Sequence, residues 1–474
     1  MAVEVSGGAS IPLTIGKSDR YAGFMTNITT NSSSQTPRGA SVSESSDKTI
    51  TPMQRRVLLG GSVGQFVEFY DLALYGIAAV SLSRLFFPSG SETAGLLMLF
   101  ATYGVAFFIR PLGGLFFGAL GDRVGRRNVL VATLLLIGVA TTAIGLLPSF
   151  QTWGIWSTIL LVLFRLLQGF SAGGESVGAP SFVYEHAPPS KRGMFVNTTL
   201  AATALPAVFA SSLFLVLSLL MSSETYDAWG WRIPFLLALP MAFVGLIIRA
   251  KTEESPIFQD MMEGKAEQKQ TSTPVSEAFK TSWYQMIQVV VIMGFTAMGF
   301  YFLSGYFVPY LQTTGDLSRN ASLGLNAIAL LLYTFLLPVF GAISDRLGRR
   351  PMMVTGIITT IVAAVPAFIM VSSGAPFVAL LGQCLFVLGI TMYGGGCYTF
   401  FIEVFNPKVR LTAAAFSYNL GYAVFGGTAP YIGESSVAVT GVGYAPAFYV
   451  VGLGVVVLLF LLFGRVKETR HIQH

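Results

Sequence analysis

Residues 118–127 read GALGDRVGRR, and residues 341–350 read GAISDRLGRR. The two decapeptides match at Gly118/Gly341, Asp122/Asp345, Arg123/Arg346, Gly125/Gly348, Arg126/Arg349 and Arg127/Arg350, and they stand 223 residues apart. A second echo pairs Glu185-His-Ala-Pro-Pro-Ser-Lys-Arg192-Gly193 with Glu403-Val-Phe-Asn-Pro-Lys-Val-Arg410, at an offset of 218 residues. Two repeated stretches at nearly one offset make the chain an internal duplication. Each decapeptide follows the second long apolar run of its half, and its glycines suit a tight turn between closely packed helices.

Outward from these loops the chain is apolar. Of its 474 residues, 53% are hydrophobic and 11% charged, and the charges fall in clusters with long uncharged runs between them. A soluble globular chain carries about a quarter charged residues. A hydrocarbon core of about 30 Å takes roughly 20 helical residues, and a lone segment in lipid must satisfy its own backbone, so such runs are helices. Twelve spans are expected, near 57–86, 95–120, 129–149, 154–184, 194–220, 231–249, 284–312, 322–342, 351–372, 376–402, 411–434 and 443–464. The fold class is therefore an all-α membrane protein of two pseudo-symmetric six-helix bundles, at 55–250 and 284–465, joined by a charged cytoplasmic linker at 251–283. Residues 1–54, rich in Ser, Thr, Asn and Gly, are expected to form a disordered tail, and 466–474 a short second one.

Charge placement sets the orientation. Of 29 Lys and Arg, 20 lie in the even-numbered connections and the membrane-flanking ends, and only Arg84, Arg232 and Arg319 on the other face. Both termini are thus expected in the cytoplasm of a multi-pass inner or plasma membrane protein. The net charge of +6 does not indicate nucleic-acid binding, because the bases sit at span ends rather than in one patch. Cys384 and Cys397 share one apolar run, so there is no disulfide framework. The three histidines, His186, His471 and His474, lack metal-ligand spacing, and neither cofactor nor metal is expected.

Five ionisable residues fall inside spans: Glu68 and Asp71 in the first, Arg110 in the second, Arg165 and Glu175 in the fourth. Each costs ~2.5–3.5 kcal/mol at mid-bilayer, so each needs a partner or a function. Glu68 and Asp71, three apart, share a helix face that Gln65 and Tyr75 extend; Arg165, Gln168 and Glu175 share about one quadrant of theirs. Three acids against two bases leave one carboxyl without a counter-ion, as a proton carrier requires. Asp71 is the first candidate, with Glu175 and Glu68 behind it; a structural ion pair between the first-span acids and either arginine is the alternative. Arg110 and Arg165 either anchor a substrate carboxylate or hold the first helix against the fourth. The carboxyl half shows no comparable buried charge; its candidates are Tyr306, Tyr310, Tyr393, Tyr418, Asn419 and Tyr422.

The two Gly-Asp-Arg loops resemble the signature between helices 2 and 3 of the major facilitator superfamily. Arg165-Leu-Leu-Gln-Gly169-Phe-Ser-Ala-Gly173-Gly174-Glu175, Glu68-Phe-Tyr-Asp71, Arg110-Pro-Leu-Gly-Gly114 and Gly230-Trp-Arg-Ile-Pro-Phe235 further resemble its metabolite:proton symporter family, which includes carriers of proline and betaine, citrate, α-ketoglutarate and shikimate. The resemblance runs from about 55 to 465. It implies proton-driven uptake, by a monomer, of an organic acid or a carboxylate-bearing zwitterion. It also implies that Asp122, Arg123, Arg126, Arg127, Asp345, Arg346, Arg349 and Arg350, with Glu185, Arg192, Glu403 and Arg410, hold the cytoplasmic side closed. Asp122 would face the start of the eleventh helix and Asp345 the start of the fifth, near Met194, where the helix dipole attracts a carboxylate. The extended heptad tail of osmosensing members does not follow Arg465, which speaks against an osmoprotectant cargo. The alternatives are an exchanger or exporter without proton coupling and a non-transporting nutrient sensor. An enzyme is the weakest reading and is not expected, because no nucleotide motif, metal cluster or nucleophile with a nearby base appears in the sequence.

Overall fold

The computed structural model describes residues 51–124, 126–173, 178–250, 274–406 and 409–470, all within one compact unit. The amino-terminal tail, most of the linker, Gly125 and Glu175 lie outside the described residues, as do the side chains of Glu68 and of 121–127. Among the described residues, nine helical stretches are long and apolar enough to cross a membrane, and ten if Phe69–Ile77 and Ala79–Phe86, bent by 70°, count as one span. The other two expected spans are present in altered form. The third contains the shorter apolar helix Val131–Leu146, and the eleventh is interrupted by a π turn.

In chain order the rods are α1 (Pro52–Ile77 with Ala79–Phe86), α2 (Glu92–Phe108 with Arg110–Val124), α3 (Arg126–Leu146) and α4 (Ile155–Ala172 with Gly178–His186). Then come α5 (Arg192–Ala201 with Leu205–Leu220), α6 (Arg232–Leu236 with Ala238–Ala250), α7 (Pro274–Tyr301 with Phe307–Thr313) and α8 (Arg319–Leu347). The chain ends with α9 (Arg349–Val371), α10 (Pro376–Glu403), α11 (Arg410–Gly421 with Ala429–Thr440) and α12 (Pro446–Phe463). Local chemistry starts them: Thr51 and Gln54 form a reciprocal capping box on α1, and the Ser318 hydroxyl accepts from the Ala321 N–H of α8. Gly348, at φ 106°, makes the turn between α8 and α9 that a side chain would resist.

The helix contacts repeat the duplication seen in the sequence. In the first half α1 packs on α5, α2 on α4, and α3 on both α4 and α6; in the second, α7 packs on α11, α8 on α10, and α9 on both α10 and α12. Across the halves α1 meets α7, α4 meets α10, α2 meets α11 and α5 meets α8. A shift of six helices maps the first two pairs onto themselves and exchanges the last two, as a two-fold axis between the halves requires. Close approach of α4 to α2 depends on Gly169 and Gly173, where a Cβ would run into the carbonyl oxygens of Ala106 and Arg110. That approach brings Arg165 beside Arg110.

Candidate functional site

At the centre of the bundle Asp71, Arg110, Arg165 and Gln168 are all buried, none more than 4% exposed. Arg165 Nη1 donates to Gln168 Oε1 at 2.8 Å, and Gln168 Nε2 donates to Thr141 Oγ1 of α3 at 2.7 Å. The Arg165 guanidinium lies 4.1 Å from the ring centre of Tyr75 and 5.3 Å from that of Tyr103; Arg110 lies 4.1 Å from that of Phe107. Stacking of this kind holds a guanidinium in place without spending its N–H donors. Arg165 Nε and Nη2 and Arg110 Nε have no hydrogen-bond partner among the described residues. Asp71 is within electrostatic range of both arginines but makes no ion pair with either among the described residues. The pairing considered for Asp71 therefore takes the form of a loose cluster, whose donors can reach a planar acceptor.

Two members of this cluster were not singled out from the sequence. Tyr103 stacks on Tyr75 at 6.0 Å, and Tyr301 of α7 meets Phe107 edge-on at 4.9 Å, with its hydroxyl turned to Arg110. Tyr103, Phe107 and Arg110 follow the i, i+4, i+7 spacing of one helix face, so the signal existed. Tyr301 closes the site from the carboxyl half.

The carboxyl-half candidates separate. The Tyr393 hydroxyl donates to the Ile292 carbonyl at 2.9 Å and ties α10 to α7. Tyr310 donates to the Gly443 carbonyl. Tyr418 and Tyr422 stack at 3.9 Å, and Tyr422 meets Tyr301 edge-on at 6.0 Å, which brings it towards the central cluster. Asn419 Nδ2 donates to the Ala415 carbonyl one turn back, at 2.9 Å. The Tyr306 ring lies 5.2 Å from that of Tyr310, and its hydroxyl faces Glu434. One expectation is corrected: the carboxyl half does carry buried charges. Glu434 of α11, Arg349 and Glu403 are each 2–3% exposed. Glu434 escaped notice because it falls at the edge of its apolar run, where a charge reads as a span end.

At the end of the molecule that carries the decapeptides, Asp345 accepts from the backbone N–H groups of Gly193 at 2.7 Å and Met194 at 2.9 Å, at the start of α5. Arg349 Nη1 donates to Asp345 Oδ1 at 2.9 Å, and its Nη2 to Glu403 Oε1 at 3.1 Å. Arg410 reaches Glu185 at 3.8 Å, and Arg192 Nη1 donates to the Tyr184 hydroxyl at 3.3 Å. Arg350 donates to the Leu461 carbonyl, and the Arg346 carbonyl accepts from Arg470. The chain after α12 joins this network, which the sequence did not suggest. Glu468 accepts from the N–H groups of Arg349 at 2.8 Å and Arg350 at 2.9 Å, and Thr469 donates to Glu403 at 2.6 Å. Gly118, Asp122, Arg123, Arg126 and Arg127 of the first copy have no described side chains, and Gly125, like Glu175, lies outside the described residues.

Twelve rods among the described residues, with a two-fold pattern of contacts around a buried charged centre, make this a multi-pass membrane transporter of the major facilitator superfamily, a secondary active carrier of a small molecule and not an enzyme. The chain belongs to the family described as sugar (and other) transporter, whose model matches residues 57–474. It is 33% identical over 425 residues to the glycine betaine/proline/ectoine/pipecolic acid transporter OusA of Dickeya dadantii, covering 88% of this chain and 83% of that one. It is 32% identical over 389 residues to the citrate-proton symporter of Klebsiella pneumoniae, covering 81% and 86%. A partially occluded inward-open structure of the xylose transporter XylE from E. coli superposes with a TM-score of 0.70 at 19% identity, covering 90% of this chain and all of that one; at that identity the likeness is one of fold.

Proposed function

We propose that the chain is a proton-coupled symporter of a small carboxylate-bearing metabolite, held in the inner or plasma membrane with both termini in the cytoplasm. The observation that carries this is the buried Arg165, with two donors unspent beside an Asp71 that no close ion pair neutralises. An anionic Asp71 competes electrostatically for Arg110 and Arg165 and lowers their pull on a second carboxylate. Protonation removes the competitor, and the substrate carboxylate takes both guanidiniums. Proton and substrate thus bind together and leave together, which is symport. Exposure to one side and then the other comes from rocking of the two halves about their shared axis. The decapeptide end is the cytoplasmic one by its excess of basic residues. The relatives support the cargo class: one is named for zwitterions and the other for citrate with a proton.

The test is uptake into de-energised vesicles with an imposed pH gradient, acid outside. The expected result is a faster initial rate with the gradient than without it, and loss of that response in Asp71→Asn with counterflow exchange kept. Wild-type uptake indifferent to the gradient would make the protein an exchanger. Full coupled uptake in Asp71→Asn would move the proton to Glu68 or Glu175.

A further inference from the structure

A polar cavity of 490 Å³ lies at the end of the molecule opposite the decapeptides, and Glu434 lines it. Thr93 contributes from the start of α2, Thr313 and Thr314 from the end of α7, Ser372 from α9 and Tyr444 from the turn before α12, so both halves of the molecule build it. Glu434 is 3% exposed, and its Oε2 has no hydrogen-bond partner among the described residues. The groups facing that carboxyl are the Tyr306 and Tyr310 rings of α7 and Glu92 in the first turn of α2. The nearby Arg84 is engaged with Glu92, at 2.6 Å. No basic residue is among the described residues lining the cavity. A buried carboxylate with no cation beside it is costly unless something supplies one. The size falls within the roughly 300–1,000 Å³ of small-molecule sites.

We propose that this cavity is a binding site for an organic ammonium group, with Glu434 as its counter-charge and the Tyr444 ring as its aromatic face. Carboxylate plus aromatic faces is the chemistry that holds alkylated ammonium groups. The proposal rests on the small-molecule symport reading and sharpens it. A cargo meeting Glu434 on the way to two central arginines is served by carrying both charges. The cargo class is therefore an ammonium-bearing zwitterion rather than a plain organic acid, and the cavity is a station on its route.

The experiment uses the purified full chain in detergent with choline, which has the ammonium and no carboxylate, and 3,3-dimethylbutan-1-ol, its neutral isostere. Saturable thermal stabilisation by choline and none by the alcohol is expected. Glu434→Gln should weaken choline binding about tenfold to a hundredfold, the range set by loss of one charge-assisted contact. Asp71→Asn should leave choline affinity unchanged, which keeps this result separate from the central site. If Glu434→Gln does not purify folded, Val437→Trp, which fills the cavity without replacing the carboxyl, should abolish the response. Equal binding of choline and the alcohol, no binding of choline, unchanged affinity in Glu434→Gln, a response retained in Val437→Trp, or loss in Asp71→Asn would each overturn the proposal. Binding is read without a gradient, so failure of proton coupling would leave it standing.

Discussion

Arg165 offers five N–H donors in one plane, and a single Nη is spent on Gln168. The aromatic faces of Tyr75 and Tyr103 fix that plane, which a lysine ammonium cannot reproduce. Arg165→Lys keeps the charge and loses the fork. Transport should persist with KM raised about tenfold to a hundredfold, as for the loss of one or two charge-assisted bonds. Substrate-concentration dependence of counterflow measures this without involving the gradient; an unchanged KM would reduce Arg165 to a tie between α4 and its neighbours. The same residue shows what a sequence can and cannot reveal at this scale. Arg110, Arg165 and Asp71 stood out because a charge in an apolar run costs energy and must be explained. Tyr103 and Tyr301 did not, because an aromatic residue in an apolar run costs nothing and core tyrosines are common. Glu434 was hidden by position rather than by chemistry. Only the course of the last turns of α11 shows that it points into protein.

At the scale of the helix, the decisive feature is how little separates α4 from α2. Gly169 lies against the Ala106 carbonyl, and Gly173 against the Arg110 carbonyl. Without a strong hydrophobic drive between helices in lipid, such backbone contact and its dispersion energy hold the pair. Gly169→Val should force α4 outward and cost at least the ~1–3 kcal/mol typical of overpacking. It should also move Arg165 relative to Arg110, so transport should fail even where the protein still folds. Gly452→Ala in α12, where an added Cβ meets nothing, is the control. Thermal unfolding in detergent should show a clear fall for the first variant and none for the second. The small-residue spacing was readable in Gly169-x-x-x-Gly173, and so were the apolar rods themselves. Their interruptions were not. The π turn Phe302–Tyr306 packs on α1 and the π turn Tyr422–Gly426 on α7, each against residues more than a hundred positions away, and no local pattern announces them.

At the scale of the whole molecule, polar contacts at the two ends add to the helix packing that joins the halves, and their energies differ. At the decapeptide end the Asp345 carboxylate takes two backbone N–H bonds from the start of α5, while Arg349 holds it from behind. At the other end Arg319 of α8 pairs with Asp227 just before α6, at 2.6 Å, with Asp227 more than half exposed. A buried, charge-assisted contact is worth about 1.5–3 kcal/mol, a solvent-exposed pair about 0–1. The duplicated motif made the first contact readable in outline; Glu468, which caps α9 from beyond α12, was an ordinary charge in a polar tail until the chain was seen to fold back. If these contacts set the balance between states, Asp345→Asn should raise the population open at that end about tenfold or more, and Arg319→Gln should change it less than about fivefold at the other. Spin labels on the decapeptide ends of α5 and α8 report the distance distribution directly. The expected result is a longer component that grows in Asp345→Asn and stays near its wild-type share in Arg319→Gln. Equal, small effects from both would mean that the halves are held by apolar packing along α5 and α8 rather than by this carboxylate, and the repeated aspartate would then serve only to stabilise its own turn.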